Sequence, residues 1–216
     1  MLQSLIKSVL IITMTIGFTR TSYGLIGAQA LIGTDSSELK DIGNNVSDQT
    51  FSGTSMGLDV HLDPIPLVPV GFGLGIQMPS TTASVDGNDY ELNGLVVDLQ
   101  VTAWLPMVSS IIGITPYAKL GYIPFGAYTL KMKVPVGTET LDATAPLKSS
   151  GTHFAVGVKY APLPLPLLKL NILFQISMRN ETLEYETFDV NGVEFKIDES
   201  VSKTTTNMLL GVEVGI

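Results

Sequence analysis

Between Leu58 and Met78 the chain reads LDVHLDPIPLVPVGFGLGIQM, and on both sides of DPIPLVP hydrophobic residues alternate with polar ones or glycine. A period of two belongs to an extended strand, whose successive side chains point to opposite faces; a helix cannot satisfy it. Leu58, Val60 and Leu62 share one face, and Asp59, His61 and Asp63 share the other. What the chain folds into depends on which of these faces meets water.

The same period recurs along the chain. After the strand that ends at Asp63, Val70, Phe72, Leu74, Ile76 and Met78 oppose Gly71, Gly73, Gly75 and Gln77. The next strand sets Leu95, Val97, Leu99, Val101, Ala103 and Leu105 against Val96, Asp98, Gln100, Thr102 and Trp104. A less regular one turns Tyr117 and Lys119 away from Ala118 and Leu120. Another carries Phe154, Val156, Val158 and Tyr160 opposite His153, Ala155, Gly157 and Lys159. The clearest opposes Leu170, Ile172, Phe174, Ile176 and Met178 to Lys169, Asn171, Gln175 and Arg179. The last places Met208, Leu210, Val212, Val214 and Ile216 against Asn207, Gly211 and Glu213. A weaker first strand near Ile26 to Gly33 makes eight.

The connections alternate in character. Short apolar ones follow the second, fourth and sixth strands, whereas residues 34–52, 79–93, 131–150 and 180–203 form long polar connections. All acidic residues except Asp59, Asp63, Asp98 and Glu213 lie in these four segments, so long acidic loops on one side are expected. Within them Asp86-Gly87 and Asn191-Gly192 are hairpin-turn dipeptides, which would carry strands on into an ordered rim.

Charged residues make up only 15% of the chain, against about 25% for a soluble domain. Residues 1–24, with Lys7 ahead of an apolar run from Ser8 to Phe18, read as a cleaved secretory signal peptide, leaving 25–216 as one domain. The chain has no cysteine, which excludes disulfides, thiolate metal sites and a cysteine nucleophile. Without the leader's Lys7 and Arg20 the acidic excess grows, which disfavours nucleic-acid binding.

Large aliphatics on one face and a mixed Gly, Asp, His, Lys, Gln, Asn, Arg and Glu face on the other are the reverse of a soluble sandwich with a buried aliphatic side. Over about ten residues per strand, lipid outside and water inside explain the pattern. Closure removes every unpaired edge from the hydrocarbon. The expected fold is all-β, an eight-stranded antiparallel up-and-down transmembrane β-barrel. Its lumen would hold Asp59, His61, Asp63, Asp98, Gln100, Lys119, Lys159, Lys169, Asn171, Gln175, Arg179 and Glu213 as a polar network.

In this pattern, and in the closing strand LLGVEVGI, the chain resembles the small eight-stranded outer-membrane barrels of the OmpA, OmpX and OmpW type. The resemblance implies a bacterial outer-membrane location and insertion by the barrel-assembly machinery, with Gly211, Val214 and Ile216 as the assembly signal. Ile216 stands where an aromatic residue is usual in that group, and Leu209 where a polar one is usual.

Three patterns invite a chemical reading. Asp59-x-His61-x-Asp63 has metal-ligand types on one face, but a lumenal network of paired charges accounts for the same residues. Gly71, Gly73 and Gly75 precede no helix that could hold a phosphate; they make room for long side chains such as Trp104, Tyr117 or Arg179. His153 lies beside Ser149, Ser150 and Thr152 near the outer rim, the one arrangement that would support a lipid-modifying enzyme. The expectation is no enzyme, no metal and no cofactor.

The short turns are oily: Ile65, Pro66 and Leu67; Leu105, Pro106 and Met107; Leu163, Pro164, Leu165, Pro166 and Leu167. Such a surface predicts contact with lipid or with a second copy, as a homo-oligomer that contacts or encloses lipid; a barrel seated deep in the inner leaflet is the other reading. The functional expectation is a structural or surface-interaction barrel, with a narrow or oligomeric porin-like channel as the alternative.

Overall fold

The computed structural model describes residues 26–40, 48–62, 69–85, 87–105, 113–136, 139–162, 169–185, 187–190, 192–196 and 199–215, with the side chains of 134–136, 139–140, 169 and 195 outside the description. The leader, Asp63, the short turns apart from Leu105, and Ile216 lie outside these residues.

The strands are β1 (Ile26–Lys40), β2 (Gln49–Leu62), β3 (Val70–Val85), β4 (Asn88–Trp104), β5 (Ile114–Val136), β6 (Glu139–Tyr160), β7 (Lys169–Tyr185), β8 (Thr187–Val190), β9 (Val193–Lys196) and β10 (Ser200–Gly215). Each pairs antiparallel with its neighbours in the order β5-β4-β3-β2-β1-β10-β7-β6, and β5 pairs with β6 to close the sheet. The result is an eight-stranded barrel. The β8–β9 hairpin continues the sheet from β6 through Ala143 opposite Val190 and Thr144 opposite Asp189.

Most of each long connection is paired strand, not loop: β1 runs to Lys40, β3 to Val85, and β5 and β6 are 23 and 22 residues long. For 79–93 and 180–203 this is the strand continuation that the turn dipeptides predict; for 34–52 and 131–150 it departs from the loops expected. The hairpin glycines explain two of the reversals. Gly87 and Gly192 take φ of 80° and 83°, the left-handed region that tight hairpin turns demand. Gly192 N also donates to Asp189 Oδ1 at 2.9 Å.

Inside and outside exchange character along the barrel. In the half nearer the short turns the outward face is apolar, with Leu58, Phe72, Leu120 and Leu210 each more than half exposed, and the buried inward face is mainly polar around a small apolar cluster of Leu31, Trp104, Tyr117, Leu173 and Leu209. In the other half the outward residues are mostly Ser, Thr, Asn and charged side chains, with Ala127 and Pro146 among them. There the interior is an apolar core of Leu39, Phe51, Leu92, Val96, Ile123, Tyr128, Leu130, Ala145, Leu147, Leu183 and Val201. The core sits where water drives burial; the polar interior sits where the exterior is oily.

β5 is irregular for a physical reason. A register shift against β6 between Ile123 and Gly126 changes which alternate positions face inward, so Tyr117 and Lys119 below it and Tyr128 and Leu130 above it are all buried.

Candidate functional site

The polar lumen is the only place among the described residues where titratable groups are gathered in number. Five buried carboxylates (Asp35, Asp59, Asp98, Glu181, Glu213) face four buried cations (Lys119, Lys159, Arg179, Lys203) and two buried histidines. Alternation along β1, β2, β4, β5, β6, β7 and β10 brings them inward, and the barrel's closure brings them together.

Nearest the short turns, Glu213 is the hub. Its Oε2 pairs with Lys159 Nζ and accepts from Gln29 Nε2 at 2.7 Å, and its Oε1 accepts from Asn171 Nδ2 at 2.8 Å. His61 Nε2 lies 3.7 Å from the same carboxylate. Lys159 also stands over the rings of Trp104 and Tyr117, at 5.2 and 5.5 Å from their centroids. Lys119 Nζ joins the next layer, pairing with Asp59 Oδ2 and donating to Gln29 Oε1 at 3.0 Å.

Two further clusters stack above. His153 Nδ1 lies 2.6 Å from Asp98 Oδ2, and Gln100 donates to Asp98 Oδ1 at 3.1 Å. Arg179 Nη2 donates to Asp35 Oδ2 at 3.0 Å, and Ser37 Oγ donates to Asp35 Oδ1 at 2.7 Å. At the boundary with the apolar core, Glu181 accepts from Lys203 at 3.2 Å, from Tyr128 at 3.0 Å and from Ser149 at 3.0 Å. Lys203 Nζ stands 4.2 Å from the Tyr128 ring centroid.

The inward glycines of β3 sit where large groups cross the lumen. A Cβ on Gly71 would lie 2.6 Å from the Trp104 ring, and one on Gly75 would meet Asp98, Gln100 and Asp59. Tyr117, expected above β3, instead lies over Gly157, and none of the closest neighbours of these three glycines is Arg179.

Of the residues expected in the lumen, Asp59, His61, Asp98, Gln100, Lys119, Lys159, Asn171, Gln175, Arg179 and Glu213 are inward and buried. Asp63 and the side chain of Lys169 are outside the described residues. Gly211 faces inward and Val214 outward. Leu105 is the one described member of the oily turns, and it is exposed. The described residues contain no group of three or more His, Cys, Asp and Glu able to hold a metal.

The rim placement of His153 is corrected. The histidine is deep in the lumen against Asp98, while Ser150 and Thr152 are on the opposite, exposed face and Ser149 is bonded to Glu181. Ser150 and Thr152, two of the three neighbouring hydroxyls, therefore do not face it. Asp35, Glu181 and Lys203 lie in the polar segments 34–52 and 180–203, whose composition predicts loops. Their signal is parity: Asp35 follows Gln29 by an even number of residues, as Glu181 follows Arg179 and Lys203 precedes Asn207.

No family model matches the chain, and no curated protein does. Among solved structures it is similar to Neisserial surface protein A, at 12% identity and TM-score 0.47 over 88% of this chain and 97% of that one. It is also similar to Ail, the attachment invasion locus protein of Yersinia pestis, at 13% identity and TM-score 0.45, covering 87% and 97%. A third is a major outer membrane protein from Thermus thermophilus, at 14% identity and TM-score 0.46, covering 85% and 99%.

Proposed function

We propose that this chain is an integral barrel of a bacterial outer membrane, closed to solutes by its own side chains, with a structural or surface-interaction role and no catalytic one. The exterior supports the membrane reading. On β4 the outward residues from Leu95 to Leu105 are apolar, and ten residues at about 3.3 Å each, tilted by about 40°, cover roughly the 25 Å apolar band of an outer-membrane barrel. The paired charges support the closed lumen, and this observation carries the proposal. Arg179 and Lys203 are each 1% exposed and Glu213 0%, which supports a lumen filled by its own side chains at these levels. Eight strands enclose a space that side chains can fill.

The oily turns, represented by exposed Leu105, support a lipid or subunit contact at the inner rim. Native mass in mild detergent separates the two: a discrete multiple of one subunit supports association, and a single subunit supports lipid.

The closed-lumen reading is tested in planar bilayers with protein whose unboiled sample shows the altered gel mobility of a folded barrel. The expected outcome is a silent membrane. Reproducible conductance steps from such protein would establish the channel reading in its place.

A further inference from the structure

We propose that the open edge of β9 pairs with β9 of a second copy carried by an apposed membrane, so that the barrel makes a head-to-head contact between two membrane surfaces. The proposal deepens the surface-interaction reading above and rests on it. Among the described residues the sheet ends at β9, which has β8 on one side and no strand on the other. The hairpin that carries this edge is held in place: β8 pairs with β6 at Ala143 and Thr144, Phe188 packs against the upper apolar core, and Gly192 N is bonded to Asp189. The upper end of β5, beyond its last pair with β4 at Met132, is also unpaired on one side, but it carries Pro135, whose missing N–H interrupts any added ladder. β9 reads Val-Glu-Phe-Lys and has no such block.

Parity and charge select one register. The two-residue turn makes Val190 and Val193 a hydrogen-bonded pair, so Val193 and Phe195 spend their backbone groups on β8, while Glu194 and Lys196 aim theirs outward. An antiparallel copy of the same strand can use those groups by setting Glu194 on Glu194, Lys196 on Lys196, or Glu194 on Lys196 twice. The first two put like charges directly opposite, which destabilises a ladder; the third pairs opposite charges at both positions and leaves Phe195 on the two-fold axis. Asp189 favours the same register. It lies opposite Glu194 within the hairpin, and Lys196 of a second copy brings a cation to these two carboxylates.

Strand direction fixes where the second copy sits. β6 runs from its hairpin with β5 down to Tyr160 beside the short turns, β8 is antiparallel to β6, and β9 is antiparallel to β8, so β9 points toward the short-turn end. An antiparallel copy points the other way, and its barrel is inverted. Two barrels inserted alike in one membrane do not meet that condition; barrels in facing membranes do. The edge also stands high enough. On β6 the last lipid-facing hydrophobe is Phe154, and Ala143 is about 11 residues above it, roughly 25–30 Å along the membrane normal at a tilt of about 40°. That clears a headgroup layer about 5–8 Å deep. One four-residue strand makes a weak contact, and many copies on two facing surfaces add theirs together.

The test inserts the full chain into phosphatidylcholine vesicles at physiological salt, verifies folding by the unboiled gel shift, and reads vesicle clustering by light scattering. Wild-type vesicles are expected to cluster. Glu194→Lys and Lys196→Glu are each expected to abolish clustering, because either change puts like charges at both paired positions. They move the net charge in opposite directions, so a loss in both is not an effect of overall charge. Mixing the two variant populations is expected to restore clustering, since each then meets the charge it lacks. Wild-type vesicles that stay dispersed, clustering that persists in both single variants, or no recovery on mixing overturns the proposal. A chain that stays soluble and shows no gel shift overturns the membrane reading itself, a result distinct from folded barrels that fail to cluster.

Discussion

Arg179 on β7 and Asp35 on β1 are 144 positions apart in the chain, yet Nη2 of one donates to Oδ2 of the other at 3.0 Å inside the barrel. They meet because β10 lies between their strands and pairs with both: Thr205 is opposite Arg179, and Ser36, Asp35's neighbour, is opposite Thr206. Thr205 Oγ1 adds a bond to Ser37, which itself donates to Asp35. This cluster joins the first, penultimate and last barrel strands.

Breaking it from one side leaves a buried charge without its partner. Arg179→Leu or Asp35→Ala is expected to destabilise the refolded barrel by about 3–5 kcal/mol, whereas replacing both costs less than the sum. Urea unfolding of the two single variants and the double variant, read by the gel shift, measures the coupling. Additive costs would mean that the pair does not act as one unit.

Gly75 and Gly57 separate the effect of space from that of glycine. A Cβ on Gly75 would lie 2.8 Å from Asp59 Oδ1 and nearer still to Asp98 and Gln100, and Asp59 and Asp98 are held by Lys119 and His153. Gly75→Ala is expected to cost about 1–3 kcal/mol. A Cβ on Gly57 meets nothing closer than 3.6 Å, so Gly57→Ala is expected to be neutral or to stabilise by up to about 1 kcal/mol through the unfolded chain. Unfolding midpoints of the two variants in one lipid check the contrast.

The exchange of inside and outside makes equal substitutions unequal. Leu58→Lys, on the outward face within the apolar band, is expected to cost about 2–4 kcal/mol. Ser84→Lys, outward on the same sheet beyond the band, is expected to change stability by less than about 0.5 kcal/mol. Leu183→Ala, in the apolar upper core, should cost about 2–5 kcal/mol. Similar costs for the two lysine variants would show that the exterior is uniform.

The alternation around Met56–Leu62 and Leu170–Arg179 was enough to read eight strands and their inward faces, because there both faces are distinct and keep one polarity. It failed beyond Thr34, Pro79, Lys131 and Asn180 for a definite reason. Polarity reverses at that height: Leu39 and Phe51 become interior and Ser36 and Thr54 exterior, so a continuous strand looks like the end of one. The turn dipeptides at Gly87 and Gly192 signalled the reversals correctly, but not how far the strands climb. The Arg179–Asp35 and Lys203–Glu181 pairs were hidden by the same error, since Asp35, Glu181 and Lys203 stood in segments read as loops. The β5 irregularity has no period-two signature across Ile123–Gly126, because the register shift there interrupts the pattern.

The most direct measurement uses the absence of cysteine, which lets each introduced thiol report alone. In vesicle-inserted protein, Met56→Cys, Leu58→Cys and Val60→Cys would be compared with Ser52→Cys and Thr82→Cys for reaction with a water-soluble maleimide. A lipid-embedded apolar band predicts that the first three stay unlabelled while the last two react quickly. Labelling of Leu58→Cys as fast as Thr82→Cys would contradict the membrane-spanning barrel.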